Sequence, residues 1–309
     1  MGNKRISILF NPSAGMGKAL LKKEDLEVRL RQNGIAYDLT VTQSAEDLRD
    51  LTRRHAKTYG AVVGAGGDST FHIMVNEITA ASADVNFGMI AVGSSNDIAK
   101  EFEVDSLAKA CLALKTMRTK KIDLGGIYDG EKLVRYFLGQ ANVGVGVLVN
   151  RYVAELAQRS PRSAGRQTLA GIKGVIRAYR DREIPLPLAV ESEAGRAEGE
   201  FVAAVVSNVR FWATGKIINP KAKPDDGRLD VCLIRGCSFL RLARISWLAS
   251  AGKHGKAEEV DFLQSPSFEI SSKKPLLIQT DGEILRSPEN SPLRKVKFRV
   301  LPRALSIIY

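Results

Sequence analysis

The stretch AVVGAGGDSTFHIMVNE, from Ala61 to Glu77, decides the fold of this chain. It opens with a β-branched apolar run typical of a buried strand, turns at glycines, and continues with helical apolar spacing. Gly66 and Gly67 allow a sharp turn in which backbone N–H groups approach an anion closely. We predict that Ser69 or Thr70 caps the following helix, whose positive dipole end faces that anion. The pattern predicts a phosphate-binding strand-turn-helix, with an unliganded strand-to-helix turn as the alternative.

A second turn of the same kind follows in GMIAVGSSND, from Gly88 to Asp97. The carboxyl ends of parallel strands meet at one edge of a sheet, so we expect Asp68 and Asp97 to converge on one crevice. Carboxylates beside a phosphate require a cation between them, and Mg²⁺ prefers hard oxygen ligands. The two turns together predict metal-dependent phosphoryl transfer.

Length and composition indicate a globular protein of two domains. The 309 residues exceed the usual size of one domain, and the composition, 44% apolar and 26% charged, is ordinary. Because no apolar run reaches the roughly 20 residues of a membrane span, and the start is typical of a strand rather than a signal peptide, we expect a cytoplasmic protein. Cys111, Cys232 and Cys237 lack metal-ligand spacing and are interpreted as reduced packing residues.

The net charge of +12 favours a polyanionic surface as partner. Nucleic acid is not expected, because aromatic residues make up only 6% and no nucleic-acid-binding module is present. The segment from Arg151 to Arg182 combines helical apolar spacing with many basic residues and few acids. Such a surface can lie on anionic lipid, and an ordinary solvated helix face is the alternative.

Strand and helix patterns alternate from Lys4 to Asp123, with helices expected at about 16–32 and 45–59, which predicts a parallel sheet covered by helices. Beyond Ile122, glycine-punctuated strands take over, and residues 132–150 are interpreted as strand. The basic helical block and a helix at about 238–251 interrupt these strands. This half therefore predicts an antiparallel sandwich.

The glycine turn NPSAGMGKA, from Asn11 to Ala19, is not a Walker A loop. In that loop a hydroxyl residue follows the lysine and a glycine lies five positions before Gly17, and neither condition holds here. We expect a strand-to-helix turn at the same sheet edge, with Lys18 near phosphates or a lipid headgroup. A simple surface turn is the alternative.

With these motifs in place, the chain resembles the diacylglycerol kinase catalytic family, in particular its bacterial soluble lipid kinases. The similarity covers nearly the whole length, and several motifs occur in the family's order and spacing. They are NPSAG at 11–15, GGDST at 66–70, Asn76-Glu77, GSSND at 93–97, KIDLG at 121–125, PKAKPDDGRLDV at 220–231 and TDGE at 280–283.

The resemblance implies an α/β nucleotide-binding domain with a parallel sheet, like that of NAD kinases and phosphofructokinase, plus a β-rich sandwich domain that helps to hold the lipid. We place the nucleotide-binding domain at residues 1–125, completed by about 290–309. The β-rich lipid-acceptor domain then spans residues 126–289.

The resemblance also implies ATP and Mg²⁺ as cofactors and assigns residues to them. The residues that match nucleotide contacts are Thr42, Gly66, Gly67, Asp68, Ser69, Thr70, Phe71, His72, Ser95 and Asn96. Asp68, Asp97 and Asp123 match the acids that hold the catalytic Mg²⁺, largely through water. A structural Mg²⁺ maps to Asp226 with the carbonyl groups of Lys223 and Arg228.

Asp281 matches the family's general base, and Glu283 could orient it or assist the metal network. An alcohol is a poor nucleophile at neutral pH, and a positioned carboxylate can take its proton as the bond to phosphorus forms. Asp68 completes the catalytic set expected here. Asp281 follows an apolar run and precedes a glycine, so a plain hairpin turn is the alternative interpretation.

Some positions depart from the family pattern. The family usually has glycine where Ser69 stands, threonine where Ser94 or Ser95 stands, and asparagine where His72 stands. Its glycine-rich stretch before the structural-metal loop reads here as FWATGK at 211–216. These departures bear on nucleotide affinity and on the identity of the acceptor.

The sequence therefore predicts an ATP-dependent lipid kinase that transfers the γ-phosphate to a hydroxyl of a diacylglycerol-like acceptor. We expect it to associate peripherally with an anionic membrane surface, and a homodimer is left open. An NAD-kinase-like phosphotransferase is one alternative, because it shares the glycine-aspartate turn. A non-catalytic lipid-binding member of the family is another, supported by Ser69 and the bulky residues 211–214.

Overall fold

The structure is a computed structural model that describes residues 5–157, 164–285 and 293–309, without the side chains of 156–157 and 164–168. Part of the basic helical block and the expected domain bound at 289–290 lie outside the described residues. The domain bounds therefore stay a prediction.

The first part of the chain forms a parallel sheet in the order β2-β1-β3-β4, covered by helices. Its strands are β1 (Ile6–Phe10), β2 (Tyr37–Val41), β3 (Ala61–Gly66) and β4 (Asn86–Ala91). Its helices are α1 (Lys23–Gln32), α2 (Ala45–Thr58), α3 (Asp68–Ala80), α4 (Asp97–Glu101) and α5 (Leu107–Thr116). Helix α2 begins as expected, because the Ser44 side chain accepts a hydrogen bond from the Asp47 N–H.

The helix expected from about residue 16 is α-helical only from Lys23. Residues Ala14–Lys22 form 3₁₀ turns instead, and Gly15, Met16 and Gly17 adopt left-handed backbone angles with φ of 60°, 62° and 83°. A regular α-helix cannot pass through residues in this conformation. The turn therefore folds over the sheet edge before α1 begins.

The second part of the chain is rich in strands. They are β5 (Thr119–Asp129), β6 (Lys132–Phe137), β7 (Gln140–Gly144), β8 (Leu186–Ser192), β9 (Gly195–Ser207), β10 (Phe211–Trp212), β11 (Lys216–Ile217), β12 (Leu229–Arg235), β13 (Val260–Ser265), β14 (Ser267–Ser271), β15 (Ile278–Thr280), β16 (Glu283–Ile284) and β17 (Lys295–Ile308). Its helices are α6 (Val145–Ala157), α7 (Ala164–Arg180) and α8 (Phe239–Ala249), with a 3₁₀ turn at His254–Lys256.

The prediction of strand across residues 145–150 was wrong. Strand β7 ends at Gly144, whose φ is 98°, and α6 begins at the next residue. The run GVGVLV is apolar at almost every position, so its periodicity does not distinguish a strand from a buried helix. The left-handed conformation of Gly144 ends the strand, because it turns the chain out of the sheet.

Strand β17 joins the two parts of the sheet. It pairs antiparallel with β14 and β5, and its last residues, Ser306 and Ile307, pair parallel with β4. Leu305, Ile307 and Ile308 are buried in the same apolar cluster as the side chains of β1, β3 and β4. The fold class expected from the sequence, a parallel α/β part with a β-rich part, is confirmed.

Candidate functional site

The three glycine turns meet at one edge of the parallel sheet. Asn11 Nδ2 donates to Thr70 Oγ1 at 2.9 Å, which ties the first turn to α3. A Cβ atom at Gly15 would lie 2.8 Å from the carbonyl oxygen of Val92. The expected side-by-side arrangement of the β3 and β4 turns is confirmed, because these strands are neighbours in the sheet.

Helix α3 points its amino end at this edge. It begins at Asp68 after Gly67, and no side chain in the described part of the chain caps it. The capping role expected of Ser69 or Thr70 was wrong. Thr70 is buried and its hydroxyl accepts from Asn11, whereas Ser69 is exposed. The first N–H groups of α3 and its positive dipole end are therefore left for an external anion such as a phosphate.

Asp68 and Asp97 are brought together beside that helix end. The Asp68 carboxylate accepts from the backbone N–H groups of Asp97 at 3.2 Å and Ile98 at 3.1 Å. Burial raises the pKa of Asp68 to about 6, and the charge of Asp97 adds to this rise. Burial raises the pKa of Asp97 as well. The two carboxylates lie close together in a partly desolvated environment, which disfavours the charged form of each.

Asp123 is tied to other elements. Its Oδ2 accepts from the Gly227 N–H and its Oδ1 from the Arg303 N–H, both at 2.7 Å. Partial burial raises the pKa of Asp226, and the charge of Asp123 adds to that rise. The structure therefore places Asp123 with the loop at 223–228 and with β17. Its role as a ligand of the catalytic cation stays a prediction.

The loop at 223–228 concentrates acids at the edge of the β-rich part. Asp226 Oδ1 accepts from the Arg228 N–H at 3.1 Å, and its Oδ2 from Gln264 Nε2 at 3.3 Å. Burial raises the pKa of Asp230 to about 6. Such oxygen donors suit a hard cation, and the structural site expected at Lys223, Asp226 and Arg228 stays a prediction.

The donor atoms near α3 fit a hard cation in part. Asp97 Oδ1 and Asn96 Oδ1 are buried and have no hydrogen-bond partner among the described residues. Unpaired buried oxygens of this kind are what Mg²⁺ coordinates. Within the same residues, no group of three or more histidine, cysteine or acidic side chains is placed to hold a metal ion. Asp68 and Asp97 are therefore the residues that could hold Mg²⁺ here.

The remaining residues expected to contact the nucleotide lie in the β4 turn, at the end of β2 and in helix α3. Ser95 and Asn96 lie in the β4 turn, and Asn96 Nδ2 donates to the Gly93 carbonyl at 3.1 Å. Thr42 is buried at the end of β2, where its hydroxyl donates to the Phe10 carbonyl at 3.2 Å. The expected nucleotide contact at Phe71 stays a prediction, and its side chain is fully buried in the core. Its apolar ring packs edge-on against Phe87.

Asp281 lies on the turn between β15 and β16, as expected, and its carboxylate is buried. Its Oδ1 accepts from the N–H groups of Gly139 at 2.9 Å and Gln140 at 2.8 Å. Its Oδ2 accepts from the Leu138 N–H at 2.9 Å and contacts His72 Nδ1 at 3.0 Å. The turn between β6 and β7 thus forms a cradle of backbone N–H groups around this carboxylate.

A cavity of about 890 Å³ opens beside Asp281. Helices α2, α3 and α6, strand β6 and the β15–β16 turn form its wall, and His72 and the exposed Glu283 lie in that wall. Sequence reasoning missed Arg135, which is half-buried in the same wall and whose pKa burial lowers. Arg135 lies in an ordinary strand pattern, so only tertiary structure could identify it.

Two known protein families match this chain. The profile of the diacylglycerol kinase catalytic domain matches residues 5–127. The profile of the YegS C-terminal NAD kinase beta sandwich-like domain matches residues 139–309, more than half of the chain. The chain belongs to the diacylglycerol kinase family.

Relatives within this family are similar over most of the chain. The diacylglycerol kinases of Staphylococcus aureus strains JH9 and Newman are each 26% identical over 290 residues, covering 91% of this chain and 86% of the relative. A crystal structure of a putative diacylglycerol kinase from Bacillus anthracis strain Sterne matches with a TM-score of 0.75 at 18% identity. That match covers 99% of this chain and 95% of the other, so the fold is shared throughout.

The positions that depart from the diacylglycerol kinase family pattern lie around the site. A Cβ atom at Gly282 would lie 3.3 Å from Ser69 Oγ, so Ser69 faces the turn that carries Asp281. Ala213 and Thr214 have positive φ, and the Thr214 N–H donates to Asp97 Oδ2 at 2.9 Å. The bulky 211–214 segment therefore anchors one of the candidate metal ligands.

The described residues include no helix long and apolar enough to cross a membrane.

Proposed function

We propose that this chain is an ATP-dependent lipid kinase that transfers the γ-phosphate of ATP to the hydroxyl of a diacylglycerol-like acceptor. Membership of the diacylglycerol kinase family indicates a lipid kinase. The observation that carries the proposal is the convergence of the uncapped end of α3, the Asp68–Asp97 pair and the Asp281 turn. In this proposal the end of α3 binds the phosphates, the Asp68–Asp97 pair binds the cation, and the Asp281 turn provides the general base, all at one crevice.

The nucleotide phosphates lie over Gly66 and Gly67 in this proposal, at the amino end of α3. Backbone N–H groups and the helix dipole hold the negative charge there without a side-chain cap. Asp68 and Asp97 would hold Mg²⁺, which when bound would neutralise the charge that develops on the phosphates. Asn96 presents its unpaired Oδ1 to the same place.

The acceptor headgroup occupies the cavity beside Asp281, so its hydroxyl lies between the cavity wall and the phosphate turn. The volume of about 890 Å³ is sufficient for a glycerol headgroup and the first part of its chains. Asp281 and Glu283 provide the carboxylates expected from the family pattern. The half-buried Arg135 adds a cation to the wall of that cavity.

Helix α7 is the surface that contacts the membrane in this proposal. Leu169, Ile172 and Ile176 lie on one face and are 52%, 46% and 50% exposed. Lys173 is exposed among them, and Arg180 lies one turn beyond. A helix face with apolar side chains and flanking basic residues inserts into the headgroup region of anionic lipid.

The test is phosphoryl transfer by the purified chain with γ-labelled ATP and Mg²⁺. Acceptors are presented separately: diacylglycerol, monoacylglycerol, phosphatidylglycerol, a long-chain base and NAD. We expect label in a lipid product, identified by mass, and none in NAD. Label in NAD alone would indicate an NAD-kinase-like enzyme. No ATP consumption with any acceptor would indicate a non-catalytic lipid-binding protein.

A further inference from the structure

We propose that Glu101 and Arg210 are positioning residues for the cation site, because their ion pair holds the hairpin at 210–217 against helix α4 and so fixes the carboxylate of Asp97. This inference rests on the proposed function, in which Asp97 would hold Mg²⁺. Both residues act through the hairpin, whose backbone is in direct contact with Asp97.

The 210–217 hairpin is a separate two-stranded sheet. Its strands β10 and β11 pair only with each other among the described strands, through Phe211 with Ile217 and Trp212 with Lys216. A hairpin of this kind is at best marginally stable by itself. Strand β10 packs on α4 and strand β11 on α8, so contacts with neighbouring elements hold it in place.

The turn of this hairpin has a strained backbone. Ala213, Thr214 and Gly215 have φ of 47°, 68° and 91°. The left-handed region is unfavourable for residues that carry a Cβ atom, so Ala213 and Thr214 keep this conformation only where surrounding contacts stabilise it. Successive backbone N–H groups in such a turn can converge on an anion.

The anion at this turn is the carboxylate of Asp97. The Thr214 N–H donates to Asp97 Oδ2 at 2.9 Å, and the Gly215 N–H forms a hydrogen bond with the same carboxylate. Asp97 Oδ1 is buried and has no hydrogen-bond partner in the described part of the chain. The hairpin therefore orients this carboxylate, with one oxygen bound to the protein and the other left for a cation.

Helix α4 binds the hairpin through two acidic side chains. Asp97 and Glu101 are four positions apart, so they project from the same face of the helix. Glu101 Oε2 accepts from the backbone N–H of Arg210 at 2.9 Å, and Glu101 Oε1 accepts from Arg210 Nε at 3.0 Å. The two carboxylates thus bind backbone N–H groups at the start of the hairpin and at its turn.

The Glu101 carboxylate is largely removed from water. Its side chain is 6% exposed, and that of Arg210 is 44% exposed. A buried carboxylate that loses its cationic partner is strongly unfavourable, so removal of the Arg210 charge is expected to loosen the contact between α4 and the hairpin. Loosening of this contact frees the turn to leave its strained conformation and to release Asp97.

The test is the Mg²⁺ dependence of ADP binding, measured by isothermal titration calorimetry on the full chain at a series of Mg²⁺ concentrations. Arg210→Gln removes the charge and keeps the backbone N–H. We expect the Mg²⁺ concentration that gives half of the increase in ADP affinity to rise about 10- to 100-fold, the usual effect of losing a group that orients a metal ligand. ADP affinity without Mg²⁺ and the unfolding temperature stay close to wild type.

Two further comparisons separate positioning from general stability. Arg235→Gln is the matched control, because Arg235 pairs with Asp261 at 2.8 Å and its side chain is 47% exposed. We expect it to leave the Mg²⁺ dependence unchanged. Glu101→Gln breaks the same ion pair as Arg210→Gln, so the double variant is expected to lose no more Mg²⁺ affinity than the weaker single variant. At saturating Mg²⁺, kcat of Arg210→Gln returns close to the wild-type value.

Unchanged Mg²⁺ dependence in Arg210→Gln and Glu101→Gln would overturn the proposal. An equal loss of ADP affinity with and without Mg²⁺ would also overturn it, because the hairpin would then have a purely structural role. The same change in Arg235→Gln would have the same consequence. A wild type that binds ADP with Mg²⁺ but phosphorylates no lipid contradicts the proposed function alone, because the positioning role is measured by binding.

Discussion

A Cβ atom at Gly93 would lie 2.5 Å from the Cα atom of Gly67, so the turns after β4 and β3 pack backbone against backbone. The same atom would lie 2.7 Å from Asn96 Oδ1. No side chain fits between the turns without a shift of the backbone. This contact sets the position of the helix end that faces the phosphates and of the Asn96 oxygen beside it.

Gly93→Ala is therefore expected to separate the two turns. Overpacking of this kind costs about 1–3 kcal/mol, and nucleotide affinity falls because the helix end and Asn96 move apart. Thermal unfolding and nucleotide titration measure the two effects. Gly60→Ala is the matched control, because no described atom lies within 4 Å of a Cβ at Gly60. Equal nucleotide affinity in Gly93→Ala and wild type contradicts the prediction.

Gly139→Ala is expected to disturb the cradle of Asp281 and to spare the nucleotide site. Its Cβ would lie 2.8 Å from Asp281 Oδ1, so the carboxylate must move and lose hydrogen bonds. We expect kcat to fall at least tenfold, since small displacements of a catalytic group are costly, while nucleotide affinity stays unchanged. Steady-state kinetics and nucleotide titration provide the comparison. A parallel loss of both quantities would show that the two sites are not separate.

His254 makes stability depend on pH. It is fully buried, its Nε2 lies 2.9 Å from the Ile218 carbonyl oxygen, and burial lowers its pKa. The unfolded chain, with an ordinary histidine pKa of about 6.5, therefore binds a proton before the folded chain does. This contribution to the free energy of unfolding is present above pH 6.5 and is lost as the pH falls below it.

Denaturant unfolding between pH 7.5 and pH 5 checks this dependence. We expect a shallower loss of the free energy of unfolding in His254→Gln than in wild type, whatever the absolute stability of the variant. His55, whose pKa burial also lowers, is present in both proteins and cancels from the difference. Identical slopes in the two proteins would exclude His254 as a source of the pH dependence.

The apolar face of α7 is expected to determine membrane binding. We predict that Ile172→Gln with Ile176→Gln lowers binding to vesicles of phosphatidylglycerol and phosphatidylcholine by at least about tenfold, because each buried apolar side chain contributes roughly 1.5–3 kcal/mol. Leu112→Gln is the control, since Leu112 is 60% exposed on α5, whose buried side chains belong to the other part of the fold. Vesicle sedimentation measures binding, and equal losses at both places would contradict the prediction.

The fold could be predicted from the sequence wherever the signal is local. Helix α2 and helix α8 begin where serine precedes an apolar-periodic segment, and Ser44 and Ser238 each accept a backbone hydrogen bond as caps. The run at 145–150 was wrongly assigned to a strand, because a run that is apolar throughout shows no periodicity that distinguishes a strand from a helix. The cap expected at Ser69 or Thr70 failed for another reason: the helix already begins at Asp68, so both residues lie inside its first turn, and Asn11, 59 positions from Thr70, donates to the Thr70 hydroxyl.

The sequence by itself determined the family, the parallel α/β part and the glycine turns, since these depend on backbone freedom and on the spacing of neighbouring residues. Tertiary structure alone decided which partners the acidic side chains have. Asp123, whose role as a ligand of the catalytic cation stays a prediction, accepts from the backbone N–H groups of Gly227 and Arg303. Asp281, the expected general base, is enclosed by backbone N–H groups and by His72, 209 positions away. Contacts across such distances leave no local pattern, because they form only when the sheet brings remote turns to one edge.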